Sequence, residues 1–130
     1  MKKLLSFMVL VCLSISILAV PANRRPFVVK QSDGTMLSIV QNGDEALHFI
    51  TTLDGKYVVK GENGDFCYAK FTEEYGFVST GVIAHNKDER TDAEKDFLAS
   101  MDFDGMRSGV AVAYSESSAR YRSAVSARAA

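Results

Sequence analysis

Short hydrophobic runs separated by turn pairs set the pattern of this chain. The turn signals are Ser32-Asp33-Gly34, Asn42-Gly43-Asp44, Asp54-Gly55, Asn63-Gly64 and Tyr75-Gly76. Asp-Gly and Asn-Gly tolerate the positive φ that tight hairpin turns demand. The runs between them are rich in β-branched and aromatic residues, and predict strands over Phe27–Lys30, Thr35–Gln41, Ala46–Thr52, Lys56–Lys60, Asp65–Phe71 and Phe77–Ile83. Leu47, Phe49 and Thr51 fall on one face of their strand and His48 and Ile50 on the other; Phe66 and Tyr68 oppose Cys67, Ala69 and Phe71. Neither face is cleanly polar, so both are expected to be partly covered. Short turns between successive strands favour antiparallel neighbours.

After the last strand the period changes from 2 to 3.6. Thr91-Asp92-Ala93-Glu94 has the capping-box form, in which Thr91 caps the third amide and Glu94 reaches back. Ala93, Phe97, Leu98 and Met101 then form one apolar stripe suited to lie on a sheet. Asp102-Phe103-Asp104-Gly105 reads as the helix stop. The expected fold is α+β and mainly β: an antiparallel meander of about five or six short strands with one C-terminal helix packed on it. The folded unit is expected over residues 25–103. Residues 106–130 are rich in Ala, Ser and Arg, a composition that leaves a weak helix over Val110–Arg128 and an unstructured linker equally open. No internal repeat is visible.

The N-terminus has a different character. Met1-Lys2-Lys3 precedes an almost wholly apolar stretch, Leu4 to Val20, and Val20-Pro21-Ala22 suits signal-peptidase cleavage after Ala22, with Ala19 as second choice. A transmembrane anchor is the competing reading, but Arg24 and Arg25 follow at once. Cys12 lacks the small residues before it that a lipoprotein signal needs. The expectation is a signal peptide over residues 1–22, a β-rich domain over 23–105 and a tail or linker over 106–130. The mature chain would be secreted or otherwise extracytoplasmic, at the cell surface or in the periplasm, with no stable membrane anchor after cleavage. Cys67 alone would survive processing, so an internal disulfide is excluded. A place between Phe66 and Tyr68 suits a buried, inert thiol.

Charge is unevenly spread. Residues 23–106 hold nine Lys/Arg and fifteen Asp/Glu, a balance of −6, whereas residues 107–130 hold four Arg and one Glu, a balance of +3. An acidic body argues against nucleic-acid binding, which needs a basic face. Candidate chemistry is sparse. His48 and His85 are the only histidines and do not form a His-Glu-x-x-His string, so they read as structural, with no metal or cofactor expected. Asp65 near Cys67 works against an activated thiolate. Asp44-Glu45 and Glu73-Glu74 lie at turns, where carboxylates are usually solvated. The chain reads as a non-enzyme.

Several of these residues recur in a known order. Val20-Pro21-Ala22 and Pro26-Phe27 are followed by Gln31-Ser32-Asp33-Gly34-Thr35, by Gly43-Asp44-Glu45 with His48, by Thr52-Leu53-Asp54-Gly55-Lys56-Tyr57, by Gly64 with Tyr68-Ala69, and by Ser79 with Gly81-Val82. In order and spacing, over about residues 20–101, the chain resembles the N-terminal region of secreted bacterial metalloproteases of the immune inhibitor A type. That resemblance implies a non-catalytic, propeptide-like domain acting in folding or latency of a zinc metalloprotease, with the catalytic domain as its partner in cis or in trans. The chain departs from the family in holding no His-Glu-x-x-His, and in having Cys67 where an aromatic is usual. Arg120, Arg122 and Arg128 then resemble a basic linker toward a protease; they, Arg107 and Ala22 are candidate processing sites. The alternative is a free-standing extracellular binding module.

Overall fold

The structure is a computed structural model that describes residues 24–129; the expected signal peptide, with its cleavage site at Ala22, lies outside the described residues. Six strands, β1 (Phe27–Lys30), β2 (Met36–Gly43), β3 (His48–Thr52), β4 (Tyr57–Lys60), β5 (Phe66–Thr72) and β6 (Gly76–Ile83), form one sheet in sequence order. Every neighbouring pair is antiparallel, so the meander and its mainly-β character stand as expected. A 3₁₀ turn at Lys87–Glu89 leads into helices α1 (Asp92–Ala99) and α2 (Phe103–Ala129).

One hairpin turn is used three times, at residues 31–35, 52–56 and 61–65. In each the first residue's N–H donates to the carbonyl of the fifth at 2.7–2.9 Å, and the glycine at the fourth position donates back to the first at 3.0–3.1 Å. Those glycines, Gly34, Gly55 and Gly64, have φ of 84–88°, the bulged geometry that Asp-Gly and Asn-Gly pairs supply.

Two amide side chains finish the sheet where strands run out. Gln31, buried after β1, donates through Nε2 to Phe66 O at 2.8 Å and accepts from Phe66 N–H through Oε1 at 3.0 Å, bridging the first hairpin to β5 as a peptide group would. Asn86 does the same for β2: Oδ1 accepts from Ser38 N–H and Nδ2 donates to Met36 O, both at 3.0 Å. Pairing of β2 with β3 begins only at Ile39, so these backbone groups would otherwise lack a partner on that side.

The two faces of the sheet carry separate cores. Val58 and Tyr68 face each other across β4–β5 and join Leu37, Ile39, Ala84 and Leu98 of α1. The next positions along, Tyr57 and Ala69, point the other way and join Val110 of α2, flanked by Phe49, Phe71 and Phe77. Both faces are therefore covered, by different helices.

Three expectations need correction here. First, Asp102-Phe103-Asp104-Gly105 does more than stop a helix. Asp102 accepts from Gly105 N–H at 2.9 Å and starts α2, as N-cap aspartates do. Second, of the two choices left open for the tail the structure takes the helix, but that helix begins at Phe103, ahead of the expected Val110, and runs to Ala129, so residues 105 and 106 lie in its first turn. Third, the folded unit does not end at residue 103, because Val110 is 5 % exposed inside the second core.

Candidate functional site

A chain of polar side chains runs through the first core, and Tyr68 is its centre. β5 places this ring in the core with no exposed surface. A buried phenol must keep its hydrogen bonds. Tyr68 Oη donates to Glu94 Oε1 at 2.5 Å and accepts from Arg90 Nε at 3.0 Å and from His85 N–H at 3.3 Å. Arg90 continues outward: Nη1 and Nη2 grip Asp54 at 2.6 and 2.7 Å, the bidentate fork that only a guanidinium provides. Asp54 also accepts from the Thr52 hydroxyl at 2.7 Å.

On the other side Glu94 meets His85. Nδ1 of the imidazole lies 2.9 Å from Glu94 Oε2 and Nε2 lies 2.5 Å from Asp33 Oδ2. Asp33 further accepts from the Thr35 hydroxyl at 2.6 Å and from its N–H at 3.0 Å. The sequence Asp33–His85–Glu94–Tyr68–Arg90–Asp54 thus ties the β1–β2 turn, the β3–β4 turn, β5 and α1 into one unit.

The charges respond to this setting. The Thr35 hydroxyl, then His85, hold Asp33 down at about 2. Arg90 holds Asp54 at about 2 against the opposing effect of burial. Burial, reinforced by the bond to Glu94, pushes Tyr68 up to about 12. Burial of His85 disfavours its protonated form, but the bonds to Asp33 and Glu94 together outweigh that and raise it above its ordinary value. Both imidazole nitrogens of His85 are engaged by carboxylates, and burial together with the bond to Glu94 opposes ionisation of the Tyr68 hydroxyl. Geometrically the arrangement is a clamp: its contacts join the β1–β2 turn, the β3–β4 turn, β5 and α1.

The role expected of Glu94 as a capping-box partner changes accordingly. Thr91 does cap α1, accepting from Glu94 N–H at 3.2 Å, but the Glu94 carboxylate turns inward to Tyr68 and His85 instead of reaching back to the cap. Burying it there satisfies the Tyr68 hydroxyl, a larger need than a solvent-facing amide. Of the turn residues that stand out in the sequence, Asp33 and Asp54 enter the clamp while Gly34, Gly55 and Gly64 shape turns. His48 is exposed opposite Gly43 at the end of the β2–β3 pair. Asp44 caps its turn at Ala46 N–H at 2.8 Å and also accepts from Tyr114 Oη at 2.5 Å; Glu45 accepts from Tyr121 Oη at 3.3 Å. Arg107, Arg120, Arg122 and Arg128 all lie exposed on α2. Cys67 is a buried free thiol. The sequence pattern does not single out Arg90, and picks out Tyr68 only within the Tyr68-Ala69 pair of the family resemblance, with no site role. Their signal is faint: a tyrosine at an inward position of a strand, and a run of charges from His85 to Glu94 just before an apolar stripe.

An open groove of about 680 Å³ lies where the α1–α2 corner meets β5 and β6, floored by Phe71, Phe97, Met101 and Met106 and edged by Lys70 and Asp102. Among the described residues no group of three or more His, Cys, Asp or Glu is placed to hold a metal ion, and no helix is long and apolar enough to cross a membrane. No family model, curated protein or solved structure matches the chain.

Proposed function

We propose that this chain is a secreted, non-catalytic, propeptide-like domain that assists folding or maintains latency of a zinc metalloprotease. One observation supports the reading above others. The turn residues on which the family resemblance rests are structural: Asp33 anchors His85, Asp54 anchors Arg90, and the turn glycines shape the hairpins. A motif pattern spent on holding a scaffold together fits a domain whose task is to present a surface, with the chemistry residing in its partner. The outer edge of β6, eight residues long and paired only with β5 among the described strands, is the surface we assign to that partner. Proteases accept extended segments in their clefts, and a strand edge offers the matching backbone groups.

The test combines this chain with the metalloprotease catalytic domain encoded nearest to it, and measures peptide hydrolysis and refolding yield. Inhibition or improved refolding is the expected result. If neither responds at micromolar excess, the reading fails and the binding-module alternative, favoured by the open groove of mixed polar and apolar lining at the α1–α2 corner, replaces it.

A further inference from the structure

Helix α2 has two unequal halves. Its first turns are built into the second core through Val110, its one buried residue. A helix of 27 residues is about 40 Å long, so most of it runs on past that anchor. Beyond Val110 no residue of α2 is buried as a whole, and most helical stability in proteins comes from tertiary packing. Two side-chain hydrogen bonds tie the outer half to the body. Tyr114 and Tyr121 are seven residues apart, two helical turns, and so share a face. Tyr114 Oη donates to Asp44 Oδ2 at 2.5 Å and Tyr121 Oη to Glu45 Oε2 at 3.3 Å. The acceptors are neighbours in a well-braced turn: Asp44 N–H donates to Leu47 O at 3.0 Å, and Asp44 Oδ1 accepts from Ala46 N–H.

The arginines of this half lie around the clasp. Arg120 sits beside Tyr121, 81 % exposed at its side chain and 3.5 Å from Glu116. Arg122 follows, with Nε donating to Ser118 O at 3.3 Å. Arg128 lies almost two turns beyond the last tyrosine contact.

We infer that α2 is a site of limited proteolysis by an arginine-specific endoprotease, and that the Tyr114–Asp44 and Tyr121–Glu45 contacts form a clasp controlling cleavage after Arg120 and Arg122. The inference rests on the propeptide reading and adds a gate to it. Hydrolysis adds one water across the Arg120–Tyr121 or Arg122–Ser123 peptide bond, leaving an arginine carboxylate and a new amino terminus. An endoprotease needs several residues on either side of that bond extended, so both cuts require Tyr121 to leave Glu45 and the helix to unwind. The bond after Arg128 lies outside the clasp and does not depend on it.

Limited digestion of the full chain with trypsin, followed by mass spectrometry over time, tests the gate without any metalloprotease. Its failure is therefore separable from failure of the propeptide reading. Tyr114→Phe with Tyr121→Phe keeps the rings and deletes both donors. Losing two hydrogen bonds is expected to speed cleavage after Arg120 and Arg122 roughly tenfold. Cleavage after Arg128 and within residues 24–104 should keep its wild-type rate. Ala119→Pro, which breaks the helix, should give fast cleavage whether or not the phenylalanines are present. Wild-type rates after Arg120 and Arg122 in the double variant overturn the clasp. Wild-type rates in Ala119→Pro overturn the idea that helix opening limits the cut.

Discussion

Replacing Asp54 by Asn tests whether the clamp holds the fold together. Arg90 has only 5 % of its side chain exposed, so Asp54→Asn leaves a buried guanidinium facing a neutral amide. Asn keeps the volume and one acceptor but loses the charge and half of the bidentate grip. Removing one partner of a fully buried ion pair costs about 3–5 kcal/mol. Asp54 keeps 24 % of its side chain in water, which screens the pair, so the expected loss is nearer about 2 kcal/mol. Urea unfolding followed by circular dichroism reads this as a lower midpoint at unchanged slope.

The same pair gives a second readout in acid. Asp54 is held at about 2 in the folded chain against an ordinary 3.8. A carboxylate depressed on folding contributes stability above its unfolded value and loses it as pH falls through the folded one. The gap between wild type and Asp54→Asn should therefore be full above about pH 4 and close toward pH 2. A gap below about 0.5 kcal/mol at neutral pH, within the range of ordinary surface substitutions, or one that does not change between pH 5 and 2, refutes the reasoning.

The other end of the clamp titrates in the opposite sense. His85 is raised above its ordinary 6.5, so its contribution is complete in mild acid and lost as pH rises through the folded value. Thermal melts of wild type and His85→Gln should differ more at pH 5.5 than at pH 9, and equal gaps would contradict the double carboxylate contact. Gly43→Ala should destabilise strongly, because φ is +92° and the added Cβ would lie 2.0 Å from Leu47 O; a midpoint within error of wild type in denaturant would show that the β2–β3 turn yields easily. Val110→Ala should cost about 2 kcal/mol by unfolding calorimetry, whereas an unchanged melting temperature would put α2 outside the folded unit.

Much of the sheet is legible in the sequence because its grammar is local. Asp-Gly and Asn-Gly pairs mark hairpins, alternation marks strands, and short loops dictate antiparallel neighbours. These signals place β1 to the residue and the other strands to within two. The clamp is not legible, for a physical reason. Its bonds join residues far apart in sequence, such as Asp33 with His85 and Asp54 with Arg90. Each of those residues has a sufficient local explanation that hides the long-range one: a turn aspartate is expected to be solvated, and Glu94 in a capping box is expected to serve the cap. Gln31 and Asn86 are equally silent, since an amide side chain that substitutes for a strand has no period. The helical tail is hidden for another reason. Without an apolar stripe, Ala and Ser content alone does not separate a solvated helix from a linker.

The division within α2 connects stability to function. Residues up to Val110 share the second core with Tyr57 and Ala69, so the body resists any change there. Beyond Val110 the helix is held by two tyrosine–carboxylate contacts and solvated pairs such as Arg120–Glu116, which exposure makes individually weak. Unwinding the outer half therefore leaves the clamp and both cores untouched, because none of their members lies past Val110. A domain built this way can lose its basic segment and remain folded. That is the property the proposed propeptide role requires: a tail that can be cut while the body stays folded.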